Sequence, residues 1–190
     1  MDISLVKSAI KFNFCKKFRK MKFKISALFI GLMAFMSSCD DLSLINYDMD
    51  FATAALIIDA TTNPDTSYVI ESGFIDPKDE LEANGVSSDL IKKATIKSVA
   101  INLVTPATGN FNWAKSAKVI ITAEGQPDTE VASVTEIGPD MMVIEILGID
   151  LKLTDYIKGG KFAFKLHADN DEIIPVDHEV TITTTFNVEV

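Results

Sequence analysis

Cysteine, histidine and tryptophan are scarce in this chain of 190 residues, which contains two, two and one of them respectively. Cys15 lies in a segment that we expect to be cleaved and Cys39 at its end, so the mature chain has no internal disulfide and must rely on its core. We interpret His167 and His178 as surface residues, since a zinc or catalytic role would require converging carboxylates. The sequence has no Gly-x-Ser-x-Gly element and no glycine-rich phosphate loop, so we expect no enzyme.

Basic residues are scarce after residue 39. The first 39 residues hold eight of the 18 Lys and Arg residues but only one of the 27 Asp and Glu residues. Residues 40–190 therefore hold ten basic and 26 acidic groups, a formal net charge of −16. Such a surface repels the phosphates of nucleic acids and of anionic lipids, so we expect no nucleic-acid partner.

The chain also lacks an apolar run of the roughly 20 residues that a membrane-spanning helix needs. Its clearest apolar segment, Ile25–Met36, has 12 residues, which falls within the range of about 7–15 for the apolar region of a signal peptide. Lys22 and Lys24 precede this segment, and the small pair Ser37-Ser38 separates it from Cys39. The pattern predicts a signal peptide over residues 1–38.

The junction 36–41, Met-Ser-Ser-Cys-Asp-Asp, resembles the cleavage site of bacterial lipoproteins. The resemblance implies that Cys39 is lipidated and becomes the first residue of the mature protein. With its acidic, β-rich body and the segment Leu153–Lys158, the mature region is similar to small surface lipoproteins of the Bacteroidota. The resemblance implies an outer-membrane, surface-exposed lipoprotein. Because Asp40 at this position is associated in enterobacteria with inner-membrane retention, that location remains the alternative.

Residues 1–20 make an unusually long start for a signal peptide. The segment Met21–Lys24 is a more typical beginning, so we expect translation to begin at Met21. The alternative is a basic amphipathic helix on the membrane surface, because four apolar residues have roughly helical spacing: Ile3, Val6, Ile10 and Phe14.

We expect residues 39–46 to form a lipidated tether and residues 47–190 to form a single domain. Alternation of apolar and polar residues dominates this domain and is clearest over His178–Val190. Met141–Leu147 is apolar on both faces, which predicts a central strand. The other predicted strands are Asp50–Ala60, Ser67–Phe74, Thr95–Leu103, Lys118–Glu124, Val131–Ile137 and Lys161–His167.

About eight short strands without a long helix favour two antiparallel sheets packed face to face, or a closed barrel. We expect an all-β sandwich of the immunoglobulin-like type, with one or two short helical turns at Asp89–Lys93 and Leu153–Lys158. Trp113 lies just before the strand predicted over Lys118–Glu124, where it could plug one end of the sandwich.

Acidic residues cluster at the end of the strand predicted over Lys161–His167. Asp169, Asp171 and Glu172 offer carboxylate oxygens, the ligands that calcium prefers, so calcium is the candidate cofactor. The cluster lacks the spacing of an EF-hand loop, and a solvated acidic loop is the alternative. The acidic run Asp76–Glu82 is typical of a first helical turn or a solvated loop.

These features favour a non-catalytic binding or interaction module, held on the cell envelope by the lipid on Cys39 and recognising an envelope protein or glycan. The first alternative is a structural or assembly component of an envelope complex. The second is a hydrolase of envelope polymers, which would need two carboxylates with shifted pKa values in one concave pocket. Exposed aromatic residues that would mark a sugar platform are few, with one Trp and three Tyr in the chain.

Overall fold

Two antiparallel β-sheets packed face to face dominate the computed structural model, which describes residues 45–190. The signal peptide, Cys39 and most of the predicted tether lie outside the described residues. The elements in chain order are β1 Asn46–Ala52, β2 Leu56–Ile58, β3 Ser67–Glu71, α1 Lys78–Ala83, a 3₁₀ turn Ser88–Leu90, β4 Lys93–Thr105, β5 Ala114–Ala123, β6 Thr129–Val134, β7 Val143–Leu147, α2 Thr154–Lys158, β8 Phe162–Asn170 and β9 His178–Glu189. The all-β sandwich predicted from the sequence is confirmed.

The strand order differs from the immunoglobulin-like arrangement that we expected. One sheet has the order β1-β9-β4-β7, with β2 also paired to β9, and the other has the order β3-β8-β5-β6. Each connection between successive strands crosses from one sheet to the other, except the short β1–β2 segment and the β5–β6 hairpin. The chain therefore folds as one long hairpin wrapped into two sheets, which is the double Greek key of a jelly roll.

β1 and β2 together form one edge of the sandwich, as a strand that is interrupted once. The sequence predicted a single strand over Asp50–Ala60 in this region. Ala52 pairs with Thr183 and Leu56 with Val180, so three residues face two on β9. Thr53 occupies the gap: its backbone N–H donates to the Ile182 carbonyl at 2.9 Å, and its hydroxyl oxygen accepts from the Ile182 N–H at 3.0 Å. The side chain thus satisfies a ladder group that the bulge would otherwise leave unpaired.

The core lies between the sheets and follows the period-2 pattern of the sequence. Even-numbered residues of β9 from His178 to Val188 are buried. Phe51 packs edge-to-face on Phe162 and Phe186, with ring centroids 5.4 and 5.5 Å apart. Such T-shaped pairs add to the stabilisation from burial alone.

β7 is an edge strand, which corrects the prediction that it would be central. It pairs with β4 on one side and ends its sheet, and the side chain of Leu147 is 85% exposed. The continuous apolar run that suggested burial on both faces instead places apolar side chains in solvent.

The short helical elements join strands at one end of the sandwich. α2 begins after Leu153, and the hydroxyl of Thr154 accepts a hydrogen bond from the Ala94 N–H at 3.1 Å rather than capping the helix. Gly159 ends α2. Within residues 45–190, no helix is long and apolar enough to cross a membrane.

The two ends of the sandwich carry different connections. At the first, called the entry end, the chain enters at Ile45, whose N–H and carbonyl pair with Val190, and the β3–β4, β5–β6 and β7–β8 connections lie here. At the other, called the loop end, lie the β2–β3, β4–β5, β6–β7 and β8–β9 loops, over residues 59–66, 106–113, 135–142 and 171–177. β9 links the two ends and spans roughly 35–40 Å.

Candidate functional site

A groove of about 410 Å³ opens at the loop end between the β4–β5 and β8–β9 loops. Trp113 and His178, which begin or precede strands, contribute aromatic rings to its lining. The rest of the lining combines apolar and polar side chains, among them Pro106, Thr108, Glu172, Ile173, Pro175 and Val176. We call this the loop-end groove, and its volume falls in the lower part of the range of about 300–1,000 Å³ found for small-molecule sites.

Trp113 carries an unsatisfied donor in this lining. The residue is 4% exposed, and among the described residues its indole Nε1 is the buried side-chain N or O atom that has no hydrogen-bond partner. A buried N–H without an acceptor costs about 1–3 kcal/mol. As expected from the sequence, this tryptophan is buried at one end of the sandwich.

A void of about 10 Å³ also borders Trp113, but it provides no acceptor for the Nε1–H. Its walls are apolar throughout, from Ile58, Ile101, Phe111, Ala114, Ala117, Ile137, Ile144, Leu166 and Ala168. A buried water needs two to four polar partners, and this void offers it one at most. The Nε1–H therefore gains no acceptor from that side.

His178 is buried, which corrects the expectation of a surface histidine. The residue is 3% exposed and its ring packs edge-on against Trp113, with centroids 5.4 Å apart. Its Nδ1 lies 2.8 Å from the Val176 carbonyl oxygen. Because a carbonyl only accepts, Nδ1 carries the proton of the neutral ring and Nε2 carries the lone pair. The sequence contained the signal, since residue 178 is in phase with the buried Val180 and Ile182.

The other histidine plays no part in this site. His167 lies half-buried on the outer face of β8, as its sequence pattern predicted, opposite Lys118 of β5. The chain therefore holds two histidines in different environments, which makes His167 a natural control for experiments on His178.

The rim of the groove is fixed by a side-chain network that spans two loops. The amide nitrogens of Asn110 and Asn112 donate to the same Asp140 carboxylate oxygen at 3.3 and 3.2 Å. In return, the Asp140 N–H donates to the Asn112 side-chain oxygen at 2.6 Å. These amides join the β4–β5 loop to the β6–β7 loop, so the groove wall is held in place before any ligand arrives.

Asn170 likewise joins two loops, the β2–β3 loop and the β8–β9 loop, on the other side of the loop end. It is 1% exposed; its amide oxygen accepts from the Thr66 N–H at 2.8 Å, and its amide nitrogen donates to the Glu172 carbonyl at 2.7 Å. The sequence interpretation treated this segment only as an acidic cluster. Only the fold reveals the role of Asn170, because Thr66 lies 104 residues away in the sequence.

The three predicted calcium ligands do not converge. Asp169 lies on the outer face of β8, where its carboxylate accepts from the hydroxyls of Ser67 at 2.5 Å and Ser116 at 2.7 Å. These two hydrogen bonds, first that from Ser67, lower the pKa of Asp169. Asp171 and Glu172 are exposed in the turn that follows β8. No group of three His, Cys, Asp or Glu side chains in the described part of the chain is placed to hold a metal ion, so the geometry gives the calcium prediction no support.

A second groove, of about 590 Å³, lies at the entry end between α1 and α2. Its apolar floor includes Leu81, Val86 and Ile157, and Lys78 and Lys158 stand among the polar residues at its rim. Lys158 Nζ donates to the carbonyl oxygens of Asp89 and Ile91, at 3.4 and 3.2 Å, so the groove is braced by its own residues. Its polar side chains are mostly exposed, and no buried side-chain N or O atom in its lining lacks a hydrogen-bond partner.

The carboxylates with lowered pKa lie away from both grooves. Besides Asp169, the pKa of the exposed Asp48 is lowered, first by a hydrogen bond from Lys97, 2.6 Å away, and then by one from Asn187. Neither Asp48 nor Asp169 lines either groove. The hydrolase alternative, which required two shifted carboxylates in one pocket, gains no support from them.

No protein-family model and no curated protein matches the chain. Solved structures to which it is similar include Turnip Yellow Mosaic Virus, at 7% identity and a TM-score of 0.28, covering 77% of this chain and 94% of the other. The decameric BFDV capsid protein has 9% identity and a TM-score of 0.33, with coverage of 76% and 98%. Desmodium yellow mottle tymovirus has 10% identity and a TM-score of 0.26, with coverage of 77% and 87%. At these TM-scores the likenesses carry no argument, and the topology rests on the strand pairing alone.

Proposed function

We propose that the protein is a lipid-anchored binding module of the bacterial cell envelope and that it holds its ligand in the loop-end groove. The observation that carries the proposal is the position of this groove at the end of the sandwich opposite Ile45. Cys39 precedes Ile45 by six residues, a length of chain that spans at most about 20 Å. An anchor at Cys39 would keep the entry end toward the membrane and present the loop end outward.

The charge of the mature chain supports this orientation. Its net charge of −16 is repelled by anionic headgroups, so the domain is expected to stand away from the bilayer. The outer membrane is the location that we propose, with an envelope protein or glycan as the ligand.

The anchoring step is tested by substituting the two cysteines separately. Cys39→Ala is expected to move the protein from the membrane fraction to the soluble fraction, because each buried acyl CH₂ contributes about 0.8 kcal/mol. Cys15→Ala is the matched control and should remain membrane-bound. Density-gradient separation of the two membranes then decides between the outer and the inner membrane. Retention of Cys39→Ala in the membrane would refute the anchor.

A second candidate function, an assembly component, is favoured by the free edge of β7. Val143 and Leu147 on this strand are 38% and 85% exposed, and Ile149 follows at 47%. An apolar sheet edge can add a strand from another chain through backbone hydrogen bonds. This edge lies on the flank of the sandwich, apart from the loop-end groove.

The two candidates are separated by one pair of exposed substitutions. Ile173→Arg places a charge in the loop-end groove, where Ile173 is 53% exposed, and Leu147→Arg places the same charge on the β7 edge. Both side chains are exposed, so both variants are expected to fold. Capture of an envelope component that Ile173→Arg abolishes and Leu147→Arg preserves supports the binding module. The reverse result supports the assembly component.

A further inference from the structure

Trp113, one of the residues that line the loop-end groove, carries a buried hydrogen-bond donor that the folded protein leaves unused. Trp113 is 4% exposed, and its Nε1–H has no acceptor. Buried donors are paired in the great majority of native structures, and an exception calls for an explanation. Because the neighbouring void is dry and apolar, the groove is the side from which an acceptor can arrive.

An acceptor nitrogen belongs to the adjoining ring. The hydrogen bond of His178 Nδ1 to the Val176 carbonyl leaves the lone pair of the neutral imidazole on Nε2. The two rings are in edge-to-face contact. The lining of the groove thus combines one buried N–H that lacks an acceptor with one ring nitrogen that can accept a hydrogen bond.

We infer that the loop-end groove recognises hydroxyl groups of a neutral saccharide, with Trp113 as donor and His178 as acceptor, an inference that rests on the proposed binding function. A hydroxyl both accepts and donates hydrogen bonds, and a sugar ring carries several hydroxyls on an apolar frame. That frame fits a groove whose walls include Pro106, Pro175 and Val176.

Charged ligands fit the same groups less well. An ionised carboxylate only accepts hydrogen bonds, so it would bring no donor to His178 Nε2. A carboxylate or a phosphate would also face the acidic wall residue Glu172. A cation would meet the positive end of the Trp113 N–H dipole. A peptide amide can both donate and accept, through two separate atoms, and is therefore the competitor that the experiment must include.

The chain contains a built-in reporter, since Trp113 is its one tryptophan. The full-length protein is titrated in detergent with maltotriose, cellotriose, xylotriose and chitotriose, and with trialanine, acetate, inorganic phosphate and CaCl₂ as comparison probes. We expect a saturable change in Trp113 emission with at least one saccharide. Because Nε1 is sealed from solvent, binding must move a lining side chain, so the emission maximum is expected to shift as well.

Variants at the second ring test the assigned roles. His178→Asn keeps a donor at the δ position for the Val176 carbonyl and removes the acceptor at the ε position, so affinity is expected to fall about tenfold. His178→Gln restores an acceptor at the ε position and should recover most of that loss. His167→Asn is the matched control and should bind like the parent.

A tryptophan variant covers the case in which His178→Asn fails to fold. Trp113→Phe keeps an aromatic ring and removes only the donor and part of the indole. Calorimetry is expected to give about tenfold weaker saccharide binding for this variant.

Three results would overturn the inference: no saccharide binds saturably, a comparison probe binds where the saccharides do not, or His178→Asn and Trp113→Phe bind like the parent. Failure of the ligand class is distinguishable from failure of the proposed function. If the saccharides fail while capture of an envelope component remains sensitive to Ile173→Arg, the binding module stands and its ligand is of another class. If capture also fails, the proposed function falls with it.

Discussion

Gly148 makes a backbone approach that no other residue type can make. It follows β7, and a Cβ atom placed there would lie 2.1 Å from the carbonyl oxygen of Ile96 in β4 and 2.6 Å from its carbonyl carbon. Ordinary van der Waals contact begins at 3.4 Å, so Gly148→Ala forces the two backbones apart by more than about 1 Å. Ile96 pairs with Phe186 and adjoins the bulge of β4, so it is held from its other side and cannot yield freely.

The expected cost combines two effects. Overpacking a well-filled site costs about 1–3 kcal/mol, and the hydrogen bond from the Gly148 N–H to the Lys97 carbonyl, now 3.0 Å long, contributes about 1 kcal/mol more when it breaks. The free energy of unfolding should therefore fall by about 2–4 kcal/mol. For a domain of this size, the Tm should fall by about 5–15 °C.

Gly73 provides the matched control. A Cβ atom at this position meets nothing within 4 Å, so Gly73→Ala should leave stability unchanged or raise it by up to about 1 kcal/mol. The measurement is urea unfolding of the full chain, followed by Trp113 fluorescence. If the free energies of unfolding of the two variants agree within about 0.5 kcal/mol, the close approach of Gly148 to β4 is refuted.

Three further predictions concern the core, the bulge and pH. Phe186→Ala should lower the free energy of unfolding by about 3–5 kcal/mol, measured in the same assay; a loss below about 1 kcal/mol would contradict its place between the sheets. Thr53→Val should cost about 1–3 kcal/mol, because it leaves a buried strand N–H without an acceptor, and Thr53→Ser should recover much of that loss. The hydroxyls of Ser67 and Ser116 lower the pKa of Asp169 in the folded state, so its stabilising effect is present above its unfolded pKa and is lost as the pH falls through the folded value. Asp169→Asn should therefore flatten the pH dependence of Tm in the acid range below about pH 4, and an unchanged slope would sink this account.

The sequence predicted the faces of the strands well but not their order. Alternation over β9 indicated that Val180, Ile182 and Phe186 point inward, and all three are buried. Alternation indicates which face of its own sheet a side chain lies on, but it does not indicate which strands are neighbours. An immunoglobulin sandwich and a jelly roll can therefore share one pattern of buried residues, and the strand pairing decides between them.

The candidate site was predicted only in part, for the same reason. Trp113 was expected at one end of the sandwich, where it lies, but nothing in the local sequence predicted that its Nε1–H would lack an acceptor. His178 was misread because a polar residue at the start of a strand suggests solvent, whereas its phase with Val180 indicates the buried face. The partners that define the site come from separate loops, and short-range patterns do not bring such loops together.

The order and directions of the strands place the loop end opposite Ile45. β1 and β2 run as one interrupted strand along β9, so the sandwich has eight strand positions, and neighbouring strands run antiparallel. The backbone pairing of Ile45 with Val190 places both ends of the described chain together, and the connections then alternate between the two ends of the sandwich. Trp113, at the end of the β4–β5 loop, and His178, at the start of β9, both lie at the end of the sandwich away from Ile45. Because the groove lies at the end of the sandwich away from Ile45, the Cys39→Ala variant is expected to leave the membrane while retaining the groove and its binding.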